Sequence, residues 1–139
     1  MTIRKAQCCC GALTAEAEGE PAVVSLCNCL ECQRRTGSTF GIGAYYEADR
    51  VKRSGAATIY CREVEDRMLS FYFCAKCGST VYWTAANHPG RIGIAVGAFA
   101  DPHFPQPVRS VFERSRHHWL EFPAAITGYV AGRDGPPSR

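Results

Sequence analysis

Apolar and polar residues alternate over short stretches along most of this chain, and a period of two predicts β-strands. Leu13, Ala15 and Ala17 alternate with Thr14, Glu16 and Glu18 until Gly19-Glu20-Pro21 interrupts the run. Residues 22–26 form a second short apolar run. Phe40, Ile42, Ala44 and Tyr46 recur every two residues, which suits a half-buried strand. Residues 57–64 and 67–73 predict a hairpin turning at Glu65-Asp66. Residues 79–83 and 92–96 flank Asn87-His88-Pro89-Gly90 and predict another. Residues 108–114 read as a further strand. One segment breaks the pattern: 29–36 is polar, free of Gly and Pro, and stopped by Gly37, so it predicts a short helix. The fold class expected is all-β, built of short antiparallel strands with one short helix.

The chain has 139 residues, enough for one domain with a real core. A single domain over 1–139 is expected, with its core over about 6–122. The segment 128–139 ends Gly135-Pro136-Pro137-Ser138-Arg139 and is expected to fray. No apolar run precedes the first cysteines, so no secretory leader is predicted. The longest low-charge apolar run, 92–100, is far too short to span a membrane. Nine cysteines, an odd number, argue against a disulfide scaffold, and a reducing, cytoplasmic location follows as the expectation.

Seven of those cysteines fall into three clusters: Cys8-Cys9-Cys10-Gly11, Cys27-Asn28-Cys29-Leu30-Glu31-Cys32 and Cys74-Ala75-Lys76-Cys77-Gly78. Spacings of one or two residues let neighbouring thiolates converge on one metal ion. A glycine follows the last cysteine of the first and third clusters, and such a glycine lets the backbone turn with N–H groups facing the thiolates. The middle cluster has Gln33-Arg34-Arg35 there instead. The first and third clusters therefore pair as Cys8, Cys10, Cys74 and Cys77, a closed Zn²⁺ site. Cys8-x-Cys10 is preferred over a pair through Cys9, because alternate residues of an extended segment share a face. Cys61 stands alone in a strand pattern and is expected to be a small buried apolar residue.

Cys27, Cys29 and Cys32 are left as a second, three-thiolate zinc site. Its fourth position is open to water, to a thiol, or to one of His88, His103, His117 and His118. A metal-free, redox-active thiol group is the alternative. Metal also changes the charge argument. The formal charge is +3, but seven thiolates add seven negative charges and two Zn²⁺ add four positive ones, which brings it to zero. Basicity is therefore no argument for a nucleic-acid partner.

These motifs resemble a known family. Cys8-x-Cys10-Gly11, then Cys27-x-Cys29-x-x-Cys32-x-x-x-x-Gly37, then Phe73-Cys74-x-x-Cys77-Gly78-Ser79, with Trp83 and Gly97-Ala98-Phe99-Ala100-Asp101-Pro102, are similar in order and spacing to the glutathione-dependent formaldehyde-activating enzymes, a family that also includes centromere protein V. The resemblance covers about residues 6–122. It implies an Mss4-like fold stapled by a zinc knuckle. It implies a structural zinc on Cys8, Cys10, Cys74 and Cys77, and a more labile zinc on Cys27, Cys29 and Cys32. The activity implied is condensation of glutathione with formaldehyde to S-hydroxymethylglutathione, a carbon–sulfur lyase reaction in reverse. Cys9, inside the first motif, departs from the family pattern.

Two function classes follow. As an enzyme, the chain would take the substrate thiol at the open zinc of Cys27, Cys29 and Cys32 and hold it as thiolate. Arg34 and Arg35 would then be candidates to pair with the carboxylates of a glutathione-like ligand, set against an ordinary role on a solvated helix face. Ser38, with Thr39 and Tyr45, would line the same pocket. As a non-catalytic zinc-binding module, the chain would use the same domain to recognise a protein or nucleic acid. Arg50, Lys52 and Arg53 are its best basic patch, which a loop explains equally well. The enzyme is the preferred class, because an unpaired set of three cysteines suits an open zinc.

Overall fold

A computed structural model describes residues 1–139. In chain order the elements are β1 (Ile3–Gln7), β2 (Thr14–Glu18), β3 (Val23–Cys27), α1 (Leu30–Thr36), β4 (Gly41–Glu47), β5 (Val51–Ser54), β6 (Thr58–Val64), β7 (Arg67–Phe73), β8 (Thr80–Ala85), β9 (Arg91–Ala95), β10 (Arg109–Val111) and β11 (Thr127–Gly128). The architecture is all-β with one short helix, as an Mss4-like fold requires. No helix is long and apolar enough to cross a membrane. The chain divides into two compact units, Met1–Ala22 with Ala44–Phe104 and Val23–Gly43 with Pro105–Arg139.

In the first unit β2 lies between β1 and β5 in an antiparallel sheet. Ala6, Ala15 and Ala17 are buried on one face, following the alternation read from the sequence. In a second, larger sheet β9, β8, β7 and β6 are consecutive antiparallel neighbours. Leu13, Val81 and Ile94 are fully buried, and each contributes about 1.5–3 kcal/mol by leaving water. The β6–β7 hairpin turns where expected. Glu65 and Asp66 both have positive φ, the conformation of a two-residue turn that matches strand twist. Between β7 and β8 the register shifts at Tyr72/Phe73. This irregularity bends the strand immediately before Cys74.

Cys61 is not buried. It is exposed on β6, with Sγ 3.4 Å from Ser70 Oγ. β6 is the last strand of its sheet, and its neighbours Ile59 and Tyr60 are exposed as well. An apolar pattern on an edge strand does not ensure a buried face. Residues 51–54, around the basic patch, form a strand rather than a loop. The Arg53 guanidinium lies over the rings of Tyr82 and Tyr72 at 5.5 and 5.9 Å.

In the second unit β10 lies between β3 and β11, parallel to both. The sequence pattern carried no signal for these two parallel pairings, since a period of two is the same in either direction. The strand expected over 108–114 is shorter, because Phe112 takes a left-handed backbone conformation at φ 54°. Val24, Leu26 and Ile126 supply the apolar core, and Asn28 and Ser110 are buried among them. In α1, Cys29 is the N-cap and Gly37 the C-cap, and none of its residues is buried. The segment 128–139 has contacts of its own. Tyr129 bridges to Pro137, and Ser138 and Arg139 reach the Glu113 carboxylate at 2.5 and 2.6 Å.

Candidate metal centres

Two turns in the first unit carry the four-cysteine group. The N–H of Cys8 donates to Leu13 O, and the N–H of Cys74 donates to Ser79 O, each at 3.0 Å. Gly11 N–H returns to Cys8 O at 3.1 Å, and Gly78 N–H returns to Cys74 O at 2.7 Å. Both glycines sit near φ +80°, at 82° and 79°, where a β-carbon is disfavoured. The two turns thus share one hydrogen-bond scheme. They bring the sulfurs of Cys8, Cys10, Cys74 and Cys77 within 4.8 Å of one another. Cys8 and Cys74 are buried, and Cys10 is exposed.

The surroundings of these sulfurs favour thiolates unevenly. Leu13 N–H donates to Cys8 Sγ at 3.2 Å. Burial opposes ionisation of Cys8, but that N–H and the thiols of Cys10 and Cys74 hold it below the ordinary thiol range. The Ser79 hydroxyl, helped by the backbone N–H groups of Ser79 and Cys10, lowers Cys77 to about 5. At Cys10 the Ala12 N–H favours the thiolate, yet hydrogen bonding with Cys74 and the other sulfurs prevails and raises it to about 11. Crowded thiols resist collective ionisation in this way when no cation shares their site. A dication removes the conflict, and four sulfurs with N–H donors around them fit zinc. Cys9 points elsewhere. It is exposed, its N–H donates to Ser79 Oγ at 3.1 Å, and its sulfur lies 3.1 Å from the same hydroxyl oxygen.

In the second unit the sulfurs of Cys27, Cys29 and Cys32 also lie within 4.8 Å of one another. Cys27 ends β3, Cys29 caps α1, and Cys32 is in its first turn. The Cys29 sulfur accepts from the Cys32 N–H at 3.3 Å, so a metal-ligand candidate serves as the helix cap. Asn28 holds the loop between them. Its side chain is fully buried, and Nδ2 donates to Ser110 Oγ and Val111 O, both at 2.9 Å. With Asn28 turned inward, its neighbours Cys27 and Cys29 share the other side. Hydrogen bonding with Cys29 and Cys32, together with burial, pushes the Cys27 thiol far up. Cys27 pulls Cys32 down, but Cys29 and burial outweigh it and leave Cys32 raised. This donor set also fits a soft dication, with three protein ligands rather than four.

Neither group includes a histidine. His117 instead faces Gln33, with Nε2 at 2.9 Å from Oε1. Arg34 pairs with Glu31 at 3.0 Å and is largely exposed. The Arg35 charge acts on Cys32, favouring its thiolate. Ser38 is exposed, and its N–H donates to Thr36 Oγ1 at 3.1 Å. The Tyr45 hydroxyl accepts from Trp83 Nε1 at 3.3 Å. Sequence offered His117 only as one of four candidate fourth ligands, a role it does not take here because its ring faces Gln33, and Asn28 and Gln33 were not singled out as site residues. Of those two, only the position of Asn28, between two ligand candidates, carried any signal.

A family model described as glutathione-dependent formaldehyde-activating enzyme matches residues 3–115. All seven clustered cysteines fall inside that match. The chain is also similar to a protein of Rhodobacter sphaeroides, a structural-genomics target solved by crystallography. The two are 26% identical with a TM-score of 0.55, over 68% of this chain and 85% of that one. No curated protein matches the chain.

Proposed function

Because the chain belongs to the glutathione-dependent formaldehyde-activating enzyme family, we propose that it makes and cleaves the adduct of formaldehyde with a glutathione-like thiol at Cys27, Cys29 and Cys32. In the cleavage direction this is a carbon–sulfur lyase reaction. The observation that carries the reading is the second sulfur group, which gathers three thiols and no further protein ligand candidate. Four sulfurs complete a metal's coordination from the protein alone, and three leave a position for an outside ligand. Cys8, Cys10, Cys74 and Cys77 accordingly hold the structural zinc, and Cys27, Cys29 and Cys32 hold the second, more labile one. When bound there, zinc supplies the charge that lets a thiol ionise at neutral pH.

The chain's own residues do the rest. Asn28 and the Cys29 cap fix the loop that presents the three sulfurs. Arg35 adds positive charge beside them, which favours an anionic ligand. We assign exposed Arg34 and Ser38, on the same short segment, to the carboxylates of a tripeptide thiol, for which Arg34 would give up its pairing with Glu31. Seven reduced thiols suit a cytoplasmic setting.

Cobalt substitution tests the assignment. Glutathione adds sulfur-to-metal charge-transfer absorption in the native protein and none in Cys29→Ser, and the same variant loses condensation measured by NMR. A cobalt spectrum indifferent to millimolar thiol overturns the enzyme and leaves the non-catalytic zinc-binding module.

A further inference from the structure

We propose that His117 is the proton acceptor and donor of the thiol–formaldehyde reaction, working from Nδ1; this rests on the three-cysteine cluster being the thiol site. The argument starts at Gln33, the residue after Cys32. Its Nε2 donates to Asn28 O at 2.9 Å and to Ser115 O at 3.0 Å. Both N–H groups are spent on carbonyls, so the amide has one orientation, with Oε1 facing His117 Nε2 at 2.9 Å. An amide oxygen only accepts, so Nε2 carries the hydrogen. In the neutral ring the lone pair is then on Nδ1, which has no hydrogen-bond partner in the protein.

One amide therefore does two things. It grips the carbonyl of Asn28, between Cys27 and Cys29, and it sets the tautomer of a histidine. Trp119 meets the His117 ring edge-on, with centroids 6.3 Å apart and planes at 86°. Trp119 is 62% exposed, an uncovered apolar surface next to the ring. Charged neighbours are engaged elsewhere: Arg34 with Glu31, Glu113 with Arg139, and Arg116 with Leu120 O. His118 is exposed and has no such partner to orient it.

The chemistry balances without an oxidant or reductant. The S–H bond of the thiol breaks and its proton moves to Nδ1, giving an imidazolium whose Nε2–H stays on Gln33. The sulfur lone pair forms the C–S bond as the carbonyl π pair moves to oxygen. That oxygen takes the proton from Nδ1, leaving S–CH₂–OH and a neutral ring. Cleavage is the reverse.

Three measurements test the proposal. Nitrogen-15 NMR of the wild-type ring reads the Nε2–H tautomer, and Gln33→Met abolishes that preference; an Nδ1–H ring in the wild type overturns the proposal even if every variant misfolds. His117→Gln lowers kcat by about 100-fold, the usual size of general acid–base catalysis, with KM for the thiol held within about two-fold. Added imidazole restores turnover to His117→Ala, and failure of that rescue in a folded variant counts against a proton role. The cobalt response to glutathione stays intact in His117→Gln. If that response is present and kcat is unchanged, His117 is not the base and the thiol site stands. If the response is missing in the wild type, the thiol site itself falls.

Discussion

The sulfurs of Cys10 and Cys74 stand 3.7 Å apart although 64 residues separate them in the chain. A metal at this point closes a long loop, and its binding free energy is folding free energy. Cys74→Ser is expected to destabilise the protein by about 2–5 kcal/mol, the range for a lost cross-link or ligand. Exposed Cys61→Ser is expected to stay within about 0.5 kcal/mol of wild type. Thermal unfolding by circular dichroism compares the two. An unchanged melting temperature in Cys74→Ser would remove that cysteine from the four-sulfur site.

The grouping of the sulfurs was legible in the sequence because ligand spacing and turn glycines are local signals. Cys8-x-Cys10-Gly11 and Cys74-x-x-Cys77-Gly78 pointed to each other across the chain, and the structure brings those sulfurs together. The Glu65-Asp66 hairpin and the Gly37 helix stop were equally local. Three strands escaped the pattern, and one of them, β11, is only two residues long, too short to show a period. β1 buries only Ala6, and β5 buries none of its residues, so neither shows an apolar alternation. The partners of the second cluster escaped as well. Gln33 and His117 are 84 residues apart, and nothing local in a polar helix or a His-His-Trp segment announces that bond.

Glu113 ties down the last residues of the chain. Its side chain is only 4% exposed, yet it accepts from Ser138 Oγ at 2.5 Å and Arg139 Nη1 at 2.6 Å. Burial disfavours the carboxylate, but hydrogen bonds from Ser138, Ser110 and Arg139 overcome it and hold the group below its ordinary 4.5. A depressed carboxylate contributes stability that is fully present above the unfolded value and is lost as pH falls through the folded one. Arg139→Ala is therefore expected to cost about 1–3 kcal/mol at neutral pH, as charged hydrogen bonds do. That gap should shrink as pH drops below about 4.5. Melting temperatures of both proteins across this range decide it, and a gap independent of pH would show that Glu113 is not its source.

Asn28 offers the sharpest separation of the two metal sites. It is fully buried beside the three-cysteine cluster, and both N–H groups of its side chain are used, on Ser110 Oγ and Val111 O. Its own backbone N–H also reaches Val111 O, at 3.0 Å. Asn28→Ala removes the side-chain bonds and leaves Ser110 Oγ without its donor, at an expected cost of about 1–3 kcal/mol. Asn28→Asp keeps the shape but turns a donor into an acceptor facing two acceptors, so it is expected to be worse. Neither change touches a sulfur. Because groups that orient ligands tune metal affinity by about 10–100-fold, Asn28→Ala should weaken the second zinc by that factor and leave the first unchanged. Competition with a graded series of chelators, read as metal equivalents retained per chain, measures both sites in one titration. Equal retention of the second equivalent in native and Asn28→Ala protein would mean that the three sulfurs hold their arrangement without this residue, and that the buried amide serves only the core.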